Sequence, residues 1–90
     1  MNKGDLITRV AESANLTKTD ASDAVNAVLD AITDTLKDGQ KTSLVGFGTF
    51  STSERPARQG RNPQTGATIQ IAAKTVVKFK PGKELAEAVN

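Results

Sequence analysis

Residues Arg55–Gly66 read RPARQGRNPQTG: three arginines spaced three apart, then Asn-Pro-Gln-Thr-Gly, with no acid and no large apolar side chain. Such a segment can neither enter a core nor neutralise its own charge. Asn62, Pro63 and Gly66 are turn formers. The segment therefore reads as a reversal at residues 62–66, and this pairs Arg61 with Ala67, Gln59 with Ile69, Ala57 with Ile71 and Arg55 with Ala73 across an antiparallel ribbon. On that register Pro56, Arg58, Thr68 and Gln70 take the other face. From Glu54 to Lys74 only Ile69 and Ile71 are apolar and larger than alanine or proline. A two-stranded ribbon with so little to bury is marginal in water. It is expected to be an arm, at about 54–74, that orders on something else.

Outward from the arm the patterns change. KTSLV and TFSTS, on either side of Gly46-Phe47-Gly48, are strand-like, and the two glycines suit a tight reversal. They are not a dinucleotide fingerprint, since Ser51 stands at the third glycine position and a strand follows where a helix is needed. TVVKFK forms a third strand, with Val77 and Phe79 on one side and Lys74, Lys78 and Lys80 on the other. Pro81-Gly82 ends it, and KELAEAVN closes the chain as a short helix with Leu85, Ala88 and Val89 inward. The first half reads as two helices. Asn2 caps the first with Asp5 three residues on, and Leu6, Ile7, Val10, Ala11 and Ala14 make its apolar stripe. Thr17 caps the second with Asp20 in the capping-box position; Ala21, Val25, Val28, Leu29, Ile32 and Leu36 follow at helical spacing up to Gly39. Asn15-Leu16-Thr17 matches a glycosylation acceptor but reads as the prelude to that cap.

The expected class is α+β: two N-terminal helices, a three-stranded antiparallel sheet bearing a long β-ribbon arm, and a short C-terminal helix. We take residues 1–90 as one domain, divided into a helical dimerisation part (1–39), the sheet with its arm (40–81) and the closing helix (82–90). At 90 residues a single core is thin. The chain has no cysteine and no histidine, which excludes disulfides and the usual zinc sites. A second copy is the remaining way to stabilise it. The expectation is a homodimer whose shared core takes in Leu29, Ile32, Leu36, Leu44, Phe47, Phe50 and Phe79. No segment reads as a targeting signal or a membrane span, so a cytoplasmic location is expected, with no membrane partner.

The net charge is only +2, but it is unevenly placed. Residues 1–38 carry four bases against seven acids, residues 39–83 eight bases against Glu54 alone, and the tail adds Glu84 and Glu87. Such asymmetry points to a polyanion facing one part of the molecule. Arg55, Arg58 and Arg61 suit the phosphate walls of a groove, and Lys74 stands at the base of the same basic segment. Pro63, a rigid apolar wedge without an N–H, suits insertion between base pairs; unstacking a step costs on the order of a few kcal/mol. Phosphate contacts and the surface wrapped by a bent duplex offset that cost.

The motifs LVGFGTF, RNPQTG, IAAK and PGKELAEAVN, with the spacing from Gly46 to Thr65, make the chain resemble the bacterial histone-like DNA-binding proteins of the HU family, close kin to integration host factor. The resemblance runs over the whole chain. It implies an intertwined homodimer with two ribbon arms embracing DNA through the minor groove, Pro63 intercalating at each tip, and a role in organising and compacting the nucleoid. It further implies that Arg55, Arg58, Arg61, Asn62 and Gln64 contact DNA from the arm, and Lys3, Lys80 and Lys83 from the body. Ser53, Thr75 and Ala86 stand where relatives often carry a base, and Val77 where proline is frequent; fewer bases along the flank bear on the length of DNA wrapped.

Two other classes of protein compete with this reading. An enzyme would need a histidine base, a metal cluster or a close carboxylate pair; the acids here, apart from Glu54 at the arm's start, lie on or beside amphipathic helices away from the arm, so no catalysis, no metal and no cofactor are expected. A protein-interaction module grasping an acidic partner is the second, with RNA as a related ligand because phosphate contacts distinguish it weakly. A preference for bent, nicked or gapped DNA separates these readings. The sequence leaves open pairing with a paralogous subunit and any sequence preference beyond a weak one.

Overall fold

The computed structural model describes residues 1–90. The order is α1 (Lys3–Ala14), α2 (Lys18–Lys37), β1 (Thr42–Leu44), β2 (Gly48–Arg55), β3 (Arg58–Arg61), β4 (Thr68–Ile71), β5 (Lys74–Pro81) and α3 (Lys83–Ala88). Two compact units result, Met1–Thr35 and Leu36–Asn90. No helix is long and apolar enough to cross a membrane.

The helix ends follow from local chemistry. Asn2 and Asp5 exchange side-chain-to-backbone hydrogen bonds of 2.9 and 3.1 Å, a complete capping box that satisfies two otherwise orphaned N–H groups. Asn15 closes α1 in the left-handed conformation at φ 56°, a role asparagine fills more readily than other non-glycine residues. Thr17 Oγ1 accepts from the Asp20 N–H at 3.1 Å and caps α2. Past its end Gly39 sits at φ 76° and donates to the Leu36 carbonyl.

In the second unit β1, β2 and β5 form an antiparallel sheet in that order, and β3 and β4 form a separate two-stranded ribbon. The β1–β2 reversal turns on Gly46 at φ 81°, with the Phe47 N–H donating to Leu44 O at 2.9 Å. Gly48 is a close-approach position: a Cβ there would lie 2.5 Å from the Phe79 ring and 2.7 Å from the Lys80 carbonyl. Phe79 also meets Phe50, its cross-strand partner, at 4.8 Å between centroids, and Phe47 at 5.6 Å.

Very little of this is covered. The buried apolar residues are Ala11, Ala21 and Val25, while Val28, Leu29, Leu44, Phe47, Val77 and Phe79 are exposed, Val77 by 65%. The expectation that Ala88 and Val89 turn inward is corrected. Both are exposed, Val89 by 78%, and in α3 it is Leu85 and Ala86 that are half-buried. A six-residue helix at the chain's end has too little neighbouring surface to cover its whole apolar stripe.

Candidate nucleic-acid interface

The long strands set up the site. β2 and β5 pair from Gly48↔Pro81 to Arg55↔Lys74, so the sheet extends unbroken to the base of the arm. Pro56-Ala57 and Ala72-Ala73 then leave the ladder. Proline has no N–H to donate, and this interrupts the pairing. Beyond the neck the ladder resumes as Arg58↔Ile71, Gln59↔Gln70, Gly60↔Ile69 and Arg61↔Thr68.

This register corrects the sequence expectation by one residue. The tip is closed by the Asn62 N–H donating to Ala67 O at 2.8 Å, so Asn62 still faces Ala67 and the loop proper is the four residues Pro63–Gly66. A reversal beginning one residue earlier had paired Arg61 with Ala67. A slip of one exchanges the faces of a strand. Arg58 and Gly60 therefore share a face with Ile69 and Ile71, whereas Gln59 and Arg61 share the opposite face with Thr68 and Gln70.

Two residues leave the ladder on each strand, so the pairing resumes beyond the neck in the same register. One face of the sheet holds Lys80, Lys78, Lys74 and Arg55 with Thr49, Ser51, Ser53 and the half-buried Val76, and on the arm Gln59 and Arg61 share a face. The opposite face of the sheet holds Phe50, Thr52, Val77 and Phe79, with Glu54 and Thr75 towards the neck, and that of the arm holds the two isoleucines with Arg58 and Gly60. The molecule's second unit is thus amphipathic, with a cationic hydroxyl-rich side and an apolar side. Of the bases expected to contact DNA, Arg58 lies on the isoleucine face of the arm and Arg61 on the glutamine face, while Arg55, Lys74 and Lys80 share one face of the sheet. Lys78 belongs with them. Strand alternation alone exposes that.

The tip is built by its own side chains. Asn62 Oδ1 accepts from the Gln64 N–H at 2.9 Å, Gly66 donates to Asn62 O at 2.7 Å from φ 70°, and Thr65 Oγ1 accepts from Ala67 N–H at 3.3 Å. Asn62 thereby spends its side-chain carbonyl on the turn and keeps its NH₂ as a donor. Pro63 and Gln64 project from the loop and are exposed. Lys83 opens α3, with its only ion pair a 3.9 Å contact to Glu87 between well-exposed groups; such a pair contributes little and leaves the ammonium available. Lys3 is exposed at the first turn of α1 in the other unit.

Against known proteins, the model of the family described as Bacterial DNA-binding protein matches residues 1–90. The chain is 60% identical to DNA-binding protein HU-1 of Halalkalibacterium halodurans over 90 residues, covering 100% of both chains. It is 56% identical to DNA-binding protein HU 1 of Bacillus subtilis over 89 residues, 99% of this chain and 97% of that one. Among solved structures it is similar to the Anabaena HU–DNA cocrystal, with a TM-score of 0.89 at 45% identity, covering 99% of this chain and 97% of that one. HU from Thermotoga maritima follows with a TM-score of 0.70 at 34% identity, covering 100% of both.

Proposed function

The chain belongs to the bacterial DNA-binding protein family, and from that membership we propose that it is a histone-like protein that binds double-stranded DNA with little regard to sequence. It bends and wraps the duplex through the minor groove and so organises the nucleoid in the cytoplasm. The observation that carries this reading is the row of bases along the two ladders, Lys80, Lys78, Lys74 and Arg55 on the sheet and Arg61 on the arm, which leads to a loop tipped by exposed Pro63. Residues 1–90 act as one DNA-binding domain, with 1–39 the helical dimerisation part, 40–81 the sheet and arm, and 82–90 the closing helix.

Binding begins with charge. Arg55, Arg58, Arg61, Lys74 and Lys80, joined by Lys3 and Lys83, neutralise phosphates and release their counterions. Asn62 and Gln64 hold the tip at the groove. Pro63 then enters a base step, and the kink brings further duplex onto the body. Deformability of the DNA therefore governs preference. The protein acts as a homodimer: the exposed Val28, Leu29, Leu44, Phe47 and Phe79 need cover, and a second copy supplies it with Ile32, Leu36 and Phe50 in the same shared core. Its role is architectural and not catalytic, because its acids, Glu54 apart, lie outside the basic segment and it has no histidine or cysteine base.

The test compares affinities for intact, nicked and gapped duplexes of one sequence across a salt series. Steep salt dependence with tighter binding to the nicked and gapped forms is expected. Affinity indifferent to both salt and nicking would reject the reading.

A further inference from the structure

The corrected register brings two glutamines opposite one another on the arm. Gln59 pairs with Gln70, one step from Arg61↔Thr68 on the same face, and both side chains are exposed. Across a strand pair such neighbours have Cβ atoms about 4.5–5.5 Å apart. No role in binding follows for either residue from the charge argument, since both are neutral.

Their face is the one that meets the DNA. Arg61 stands on it beside the pair, so a polyanion is drawn to it. The opposite face is closed by isoleucine: a Cβ on Gly60 would lie 3.0 Å from Ile71 Cδ1 and 3.7 Å from Ile69 Cγ1. Turned to the groove floor, that apolar face would leave the polar base edges without partners, at the full cost of their desolvation.

The floor offers only acceptors at A·T and T·A pairs and adds the guanine N2 amino donor at G·C. A primary amide carries two N–H donors and a carbonyl acceptor, and the last torsion of glutamine is broad and roughly two-fold. Half a turn therefore exchanges donor for acceptor. A lysine or arginine there would only donate, favouring A·T; a carboxylate would only accept and be repelled by phosphate. We propose that the Gln59–Gln70 pair is a sequence-tolerant reader of minor-groove base edges, donating at A·T steps and accepting from the guanine amino group at G·C steps. The proposal rests on the reading that the arm enters the minor groove, and it names the residues that make the contact indifferent to sequence.

The test uses Gln59→Met/Gln70→Met, which keeps shape and charge but removes both amides, and Gln59→Thr/Gln70→Thr, strand-forming but too short to reach the floor. Each is compared with the parent on a G·C-rich duplex and on the same duplex with inosine for guanine, which lacks only the minor-groove amino group. Dividing the variant's preference by the parent's cancels any difference in DNA stiffness. Both variants should lose roughly five- to tenfold on G·C, the order expected for two neutral hydrogen bonds. They should lose as much on I·C, whose floor offers only acceptors that the turned amide meets by donating, so the relative preference for inosine and the salt slope both stay those of the parent. Steep salt dependence in the parent, with affinity in both variants unchanged or lost on only one of the two duplexes, overturns the amide proposal alone. A parent that binds without salt dependence overturns the DNA reading and this proposal with it.

Discussion

The helices and the three-stranded sheet leave apolar side chains uncovered, whereas the ribbon arm leaves charge uncovered. In the body Val28, Leu29, Phe47, Val77 and Phe79 face solvent; on the arm Arg55, Arg58 and Arg61 do, with only Ile69 and Ile71 as apolar bulk. Both regions are incomplete as a single chain, but they call for different completions. Apolar surface is covered by anything of matching shape, in proportion to area and nearly without regard to salt. Exposed charge seeks an opposite charge, and its attraction is screened within roughly 8–10 Å at ordinary ionic strength. Protein concentration and salt concentration are therefore the two variables that separate the regions.

The largest effect is expected in the body. Phe79→Ala removes the ring that meets both Phe47 and Phe50, and loss of a core phenylalanine costs about 3–5 kcal/mol. Thermal unfolding followed by circular dichroism should show a variant largely unfolded at micromolar concentration, with DNA binding lost as a consequence. If it melts as the parent does, the phenylalanines are not in a shared core. The parent itself should sediment as a dimer, and its melting temperature should rise with protein concentration. A compact monomer with a concentration-independent melt would break the comparison on this side.

Much of this division was legible in the sequence because it rests on local chemistry. The Asn2–Asp5 box, the Thr17 cap, the Gly39 stop and the Gly46 reversal are each set by one or two side chains, and the structure has them. The arm was visible because a basic segment without apolar bulk has few other fates. Register was not, since Asn-Pro-Gln-Thr-Gly suits a five-residue reversal from Asn62 and a four-residue loop from Pro63 alike. Only the Asn62–Ala67 hydrogen bond decides between them. That one residue hid the Gln59–Gln70 pair and placed Arg58 on the wrong side of Ile69 and Ile71. The inward placement of Val89 failed for another reason: a helical stripe says which side chains are apolar, not whether a neighbour is there to meet them.

A smaller effect is expected on the charge side, beside the arm tip. Arg61→Ala takes one guanidinium from the cationic face while leaving the ladder intact. The slope of log affinity against log salt should fall by about one, near the 0.9 expected for each phosphate neutralised on duplex DNA. The melting temperature should stay as in the parent. A changed melt with an unchanged slope would mean that Arg61 serves the fold and not the ligand.

The smallest effect on affinity, and the finest separation within the arm, concerns Pro63. Pro63→Ala keeps every charge, and the tip retains its Asn62–Ala67 and Gly66–Asn62 hydrogen bonds, neither of which involves the proline. Phosphate contacts supply nearly all non-specific affinity, so binding to straight duplex should change little. Bending should fall, because alanine lacks the rigid apolar ring that separates a base step. Energy transfer between dyes at the two duplex ends reads this directly. The preference for nicked or gapped DNA should shrink in parallel, since a pre-broken stack lowers the cost only for a protein that unstacks. Equal bending by variant and parent would make Pro63 a turn residue and nothing more. Loss of all binding would instead assign it to shaping the loop. An unchanged dimer melt is the control that keeps these outcomes apart, because Pro63 is exposed at the tip and contributes nothing to the covering of the body.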